Sequence, residues 1–94
     1  MRKIRLNGAR MRTKEKAHAH IAGRMGFPAY YGNNLDALMD CLTEIGEVTE
    51  ITVVCADRLT ENLGEYGTKL LSVMAAATGE NPRLTLVLRG GFLK

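Results

Sequence analysis

Three acidic residues at a spacing of four, Asp36, Asp40 and Glu44, are the side chains whose type and spacing most directly indicate chemistry. At about 100° per residue they fall on one face of a helix. Asp36 lies in the first turn of that helix, where the helix dipole stabilises a negative charge. Asp40 and Glu44 lack this stabilisation, and the segment holds no Lys or Arg to offset a repulsion of about 0.2–0.5 kcal/mol per pair.

This acidic row has two interpretations. In the first, it is an ordinary solvated helix face, which is what most runs of charged residues are. Alternatively, it offers carboxylate oxygens to the Arg, Lys and His side chains of a partner's phosphate-binding site. The opposite arc of the same helix is apolar and is predicted to be its packed face, formed by Leu35, Leu38, Cys41, Leu42 and Ile45.

The other reactive side chains form no recognisable site. His18 and His20 diverge by about 200° on a helix, so they cannot share a metal ion. Cys41 and Cys55 lie in apolar runs and are predicted to be reduced, packed thiols. Because no motif aligns a nucleophile, a base and an orienting group, we expect neither an enzyme nor a cofactor or metal site.

Charge is strongly segregated along the 94 residues, which we expect to form one domain over 1–94. Residues 1–24 carry eight Lys or Arg and one Glu, a net charge of +7. Residues 25–57 carry six acids and no Lys or Arg, and residues 58–94 add +2.

No run is long or apolar enough for a signal peptide or a membrane span, so we expect a soluble, cytoplasmic protein with no membrane partner.

Hydrophobic periodicity predicts an alternation of strands and helices. Strands are expected at Lys3–Gly8, Glu50–Ala56 and Arg83–Arg89. Thr13 is a predicted N-cap of a helix ending near Met25, and Asn34 of a helix running from Leu35 to about Ile45. A further helix is expected from Thr60 or Gly64 to Thr78. This order favours an α/β fold, a small parallel three-stranded sheet packed with helices.

The segment "YYGNNLDALMDCLTE", Tyr30 to Glu44, resembles the central segment of the barstar family, intracellular inhibitors of secreted bacterial ribonucleases. The resemblance rests on Tyr-Tyr-Gly, Asn-Leu-Asp and Asp-Cys-Leu-Thr at the family's spacing. It extends more weakly to "LNGAR", to "LTEN" at Leu59 to Asn62, and to "LTLVL". It implies a barstar-like fold over most of the chain.

The same resemblance implies inhibition of a guanyl-preferring, barnase-type ribonuclease of the extracellular type, in a 1:1 complex formed by an otherwise monomeric protein. Asp40 would occupy the place of a substrate phosphate, Asp36 would pair with another basic group of the enzyme, and Tyr30 would stack on an active-site ring. The other implied ribonuclease-binding residues are Gly32, Asn34, Leu35, Met39, Thr43 and Glu44. The chain departs from barstar at Met39 and Ile45, where barstar has tryptophans.

Two rival functions stay open. The basic N-terminal third favours a small RNA- or DNA-binding module, although it has no aromatic residue before Phe27 for base stacking and the acidic middle third would repel phosphate. The second rival hypothesis is a barstar-like fold that binds a partner other than a ribonuclease, because a fold does not determine a function.

Overall fold

Three parallel strands form the centre of the molecule in a computed structural model that describes residues 1–90. They are β1 (Arg2–Asn7), β2 (Thr49–Val54) and β3 (Leu84–Leu88), in the order β1-β2-β3. Ile4 of β1 lies beside Ile51 of β2, which lies beside Leu86 of β3. The predicted α/β fold with a small parallel sheet is confirmed.

Four α-helices connect these strands within residues 1–90: α1 (Lys14–Met25), α2 (Leu35–Thr43), α3 (Ala56–Leu63) and α4 (Glu65–Glu80). A short 3₁₀ helix, Gly8–Arg10, follows β1. The predicted caps are both present, since the Thr13 side chain accepts from the Lys16 amide and the Asn34 side chain accepts from the Ala37 amide. In no helix of this part of the chain is there an apolar stretch long enough to cross a membrane.

The helical region after β2 differs from the sequence prediction, which placed one helix from Thr60 or Gly64 onward. A separate helix, α3, begins at Ala56 directly after the strand. Cys55 makes this sharp change of direction with a left-handed backbone (φ 55°), a conformation uncommon for residues other than glycine. Gly64, at φ 58° and ψ −131°, then separates α3 from α4 in a conformation that favours glycine.

Within residues 1–90, the burial pattern of the strands shows that helices cover one face of the sheet. Alternate residues of the strands are buried in the core on that face, namely Ile4, Leu6, Ile51, Val53 and Leu84. The residues between them, including Lys3, Arg5, Thr52 and Thr85, are exposed or half-buried. Parallel sheets usually have both faces covered, so this open face, which carries several cations, is a distinctive surface of the molecule.

Candidate functional site

The acidic row lies on the solvent side of α2, as the helical pattern predicts. Asp36, Asp40 and Glu44 are all exposed, while Leu38 and Leu42 on the opposite side are fully buried. The helix ends at Thr43 rather than at Ile45, and Glu44 is its C-terminal cap residue. The three carboxylates therefore stand in one row along the whole length of a short helix.

No carboxylate of this row forms an ion pair with any of residues 1–90. Arg2 of β1 lines the same concave surface as Asp40 and Glu44, but it pairs with Glu47 at 3.9 Å and donates to the Met25 carbonyl. Burial raises the pKa of the Cys41 thiol, and the negative charges of Glu44 and Asp40 raise it further. The exposed carboxylates of this row are thus left without a neutralising ion pair in the described part of the chain.

A cleft of about 530 Å³ separates this helix from the segment that precedes it. Four of the predicted ribonuclease-binding residues line it, Tyr30, Gly32, Asp40 and Glu44. Asn34 and Asp36 lie outside the cleft and are exposed. The remaining predicted residues, Leu35, Met39 and Thr43, are half-buried beside the row.

Two neighbouring tyrosines at the start of the site have opposite environments. The side chain of Tyr30 is 87% exposed, whereas Tyr31 is only 7% exposed. The Tyr31 hydroxyl is 2.7 Å from Nδ1 of the buried His18, and Nε2 of His18 is 2.7 Å from the Tyr66 hydroxyl. The pair therefore places one aromatic ring in solvent and fixes the other in the core.

This Tyr31–His18–Tyr66 arrangement, in which Tyr31 and His18 are buried and Tyr66 is half-buried, joins three separate parts of the fold. His18 belongs to α1 and Tyr66 to α4, so the loop before α2 is tied to both helices. Sequence reasoning missed it, because the alternating histidines gave no sign that His18 is a core residue with two tyrosine partners. The one signal in the sequence was spacing, since His18 lies three residues before Ile21 and seven before Met25 and so shares their helix face.

The far end of α2 is held by Asn81, which sequence reasoning also missed. Its buried side-chain amide donates to the carbonyls of Leu42 at 3.0 Å and Ile45 at 2.9 Å, with a longer bond to Thr43 at 3.4 Å. Carbonyls of the last turn of a helix lack an amide donor within the helix, and the Leu42 carbonyl also accepts from the Ile45 amide at 3.3 Å. Asn34 and Asn81 thus position the acidic helix from both ends.

Gly32 makes room for a neighbouring side chain and does not supply a left-handed turn. The left-handed residue of this loop is Asn33 (φ 54°), not Gly32. A Cβ atom at Gly32 would lie 3.2 Å from the Asn34 side-chain nitrogen, which itself donates to the Gly32 carbonyl. Gly32 therefore leaves room for the side chain that caps α2.

Comparison with known proteins identifies the family. The family model described as "Barstar (barnase inhibitor)" matches residues 1–89. This chain belongs to the barstar family. A protein from Bacillus subtilis (strain 168), named "Putative ribonuclease inhibitor YrdF", is 38% identical to this chain over 82 residues, which cover 85% of this chain and 89% of that protein.

This barstar family member has no grouping of three or more His, Cys, Asp or Glu suited to a metal ion within residues 1–90. Cys41 and Cys55 are both free and half-buried. The exposed carboxylates of α2 are not buried beside a base, and the buried His18 is engaged by two hydroxyls. The arrangement is suited to binding a cationic partner surface.

Proposed function

We propose that this protein inhibits a bacterial, guanyl-preferring ribonuclease of the barnase type by placing α2 and the loop before it in the enzyme's active site. The observation that carries the proposal is the exposed row of Asp36, Asp40 and Glu44, which lacks an ion-pair partner among residues 1–90 and stands beside the exposed Tyr30. Membership of the barstar family and the name of the Bacillus relative support a ribonuclease as the partner.

Asp40 is the proposed substitute for a substrate phosphate. It lies in the middle of the row and at the wall of the cleft, so its two oxygens are accessible to a planar guanidinium group. Arg and Lys side chains arranged to bind phosphate also bind a carboxylate through charge-assisted hydrogen bonds. Asp36 pairs with a second basic group of the enzyme, and Glu44 extends the contact at the other end.

The uncharged residues of the proposed interface supply packing around this charged centre. Tyr30 stacks on an aromatic or imidazole ring of the enzyme, a contact that its exposed ring allows. Gly32 and Asn34 contribute close backbone contacts, while Leu35, Met39 and Thr43 border the carboxylates. With Met39 in place of a tryptophan, we expect less aromatic contact than in barstar itself.

The site is held in position before the enzyme arrives. Asn34 caps one end of α2, Asn81 holds the other, and Tyr31 fixes the loop through His18. Binding then has little ordering entropy to overcome, which raises affinity without any added contact. We infer a monomeric inhibitor that forms a 1:1 complex and acts in the cytoplasm on an enzyme of the extracellular type.

Inhibition kinetics test this proposal. The protein is titrated into ribonucleases of the barnase class while hydrolysis of a guanylyl dinucleotide is followed. We expect tight-binding inhibition that is complete at about one equivalent, with an apparent inhibition constant that rises with substrate concentration because inhibitor and substrate compete for the active site. Absence of inhibition against every such enzyme contradicts the proposal, and RNA binding in the absence of enzyme would favour the nucleic-acid-binding alternative.

A further inference from the structure

A second charged surface lies away from the acidic helix and has the opposite sign. Arg5 of β1, Arg10 of the 3₁₀ helix and Arg24 of α1 line a cleft of about 420 Å³ together with Asn7 and His20. No acidic residue lines this cleft, and it shares no lining residue with the cleft beside Asp40. Three arginines from three separate elements therefore line one concave space.

The three arginines are not neutralised by the protein. None of them forms an ion pair with a carboxylate in the described part of the chain. Holding like charges together costs free energy unless a nearby anion neutralises them. The fold nevertheless fixes one of these side chains in place, because Arg24 Nε donates to the Arg5 carbonyl at 3.0 Å. Glu50 lines the adjoining cleft, which Arg5 and Arg24 also line, but it forms no ion pair with them.

His20 adds a neutral donor to this cationic cleft. Its Nε2 accepts the Asn7 backbone N–H at 3.0 Å, which places the ring proton on Nδ1. Burial lowers the pKa of His20, and the positive charges of Arg24 and Arg10 lower it further. The imidazole thus stays neutral and offers Nδ1–H as a hydrogen-bond donor, while the nearby charges show that the cleft has a positive field.

We propose that this cleft, formed by Arg5, Arg10, Arg24 and His20, is a binding site for a compact phosphate anion of two or more charges, such as a diphosphate group. Planar guanidinium groups bind phosphate oxygens through paired hydrogen bonds, and several of them around one pocket suit a clustered charge. A base-reading surface for RNA uses aromatic rings for stacking, but no Phe, Tyr or Trp lines this cleft or the adjoining one, and the His20 ring is held by the Asn7 amide.

The test uses isothermal titration of the intact protein with inorganic pyrophosphate, with sulfate at matched ionic strength as a reference anion. We expect pyrophosphate to bind with a Kd at least tenfold lower than that of sulfate. The double variant Arg10→Gln/Arg24→Gln should weaken pyrophosphate binding about tenfold or more. The matched variant Lys16→Gln/Lys69→Gln removes the same charge from exposed positions and should bind as the unaltered protein does.

Further measurements keep the proposal testable if the double variant does not fold. Arg10→Gln alone removes an exposed side chain that makes no hydrogen bond with residues 1–90 and should weaken binding severalfold. Amide NMR shifts on addition of pyrophosphate should be largest at Asn7, Arg10 and His20. ADP should bind, whereas a single-stranded RNA oligonucleotide with hydroxyl ends should bind more weakly than pyrophosphate.

Four results would overturn the proposal. They are no pyrophosphate binding at millimolar concentration, equal binding of sulfate, equal loss of binding in the lysine control, and tighter binding of the RNA oligonucleotide than of pyrophosphate. The last would assign the cleft to a nucleic-acid backbone. Since Asp40→Ala leaves this cleft intact, its effect on ribonuclease inhibition and its lack of effect on pyrophosphate binding separate this proposal from the inhibitor function.

Discussion

At the scale of single residues, the adjacent tyrosines divide binding from folding. Tyr30 is exposed beside the carboxylates, whereas Tyr31 is buried and bonded to His18. The sequence motif Tyr-Tyr-Gly does not show which ring is which, because the difference depends on a histidine thirteen residues earlier in the chain. The buried ring is the one that fixes the position of the exposed one.

The two tyrosines should respond differently to loss of the hydroxyl. Tyr31→Phe leaves a buried imidazole nitrogen without its partner, so we expect a loss of about 1–3 kcal/mol in the free energy of unfolding. Tyr30→Phe alters only a solvated group and should change it by less than about 0.5 kcal/mol. Urea denaturation of both variants measures the difference, and equal stabilities would contradict the assigned role of the His18 contact.

His18 also predicts how stability changes with pH. Burial lowers the pKa of His18 in the folded protein below its unfolded value, with the Glu15 charge acting weakly in the opposite direction. The folded state therefore binds fewer protons, and its stability is fully present above about pH 6.5 and is lost as the pH falls below that value.

Denaturation between pH 7.5 and pH 5.5 measures this loss. His20, whose pKa is also lowered, contributes with the same sign, so the variant His20→Gln is the control and should keep part of the pH dependence. NMR titration of the His18 ring checks the cause directly. A His18 that titrates above pH 6.5 in the folded protein would contradict the prediction.

At the scale of elements, the acidic helix is defined by asparagines at its two ends. The N-terminal one could be predicted from the sequence, because an Asn cap acts on an amide three residues away. Asn81 could not, because its bonds to Leu42 and Ile45 span 39 and 36 residues and depend on how α4 lies against α2. Local signals predicted the element, and tertiary packing determined how it is held.

Asn81→Ala should destabilise the protein and loosen the C-terminal end of α2. The substitution removes buried donors from two carbonyls, for which we expect a loss of about 1–3 kcal/mol. Asn62→Ala is the matched control, since Asn62 makes one 3.4 Å bond to the Met11 carbonyl and is otherwise exposed. Hydrogen exchange at Glu44 and Ile45 should speed up in Asn81→Ala alone, and unchanged exchange there would contradict the role of Asn81.

The strand-to-helix change after β2 shows where sequence reasoning failed for an element. The run through Ala56 is apolar and β-branched, which predicted a strand up to that residue. The left-handed Cys55 ends the strand earlier and starts α3, and its carbonyl lies where a Cβ atom of residue 8 would be. Gly8, which has no Cβ atom, permits this approach. The end of the strand therefore depends on a contact between distant segments, which local sequence patterns do not show.

At the scale of the whole molecule, the two charged surfaces account for the small net charge of +3. The carboxylates of α2 stand on one surface, and the arginines of β1 and α1 on another with no shared cleft residue. The sequence predicted this segregation by segment, since residues 1–24 are basic and residues 25–57 acidic. It could not show that the cations gather at a cleft beside an uncovered sheet face.

Steering by the acidic surface should make association with the ribonuclease sensitive to salt. A local field near the site attracts a basic active site even when the total charge is slightly positive. We expect the association rate constant, measured by stopped flow, to fall about tenfold or more between 20 mM and 500 mM NaCl, because salt screens charges beyond a few ångströms. A rate constant independent of salt would contradict steering by the acidic row.

The role of Asp40 is the central claim, and a single comparison tests it most directly. The inhibition constant against a barnase-type ribonuclease is measured for the unaltered protein, for Asp40→Ala and for Glu80→Gln, which removes one exposed charge elsewhere. If Asp40 stands in for a phosphate, Asp40→Ala should weaken inhibition by at least about 2 kcal/mol, the threshold of an interface hot spot, or about 30-fold. Glu80→Gln should change it less than about threefold, and equal inhibition by Asp40→Ala and the unaltered protein would contradict the claim.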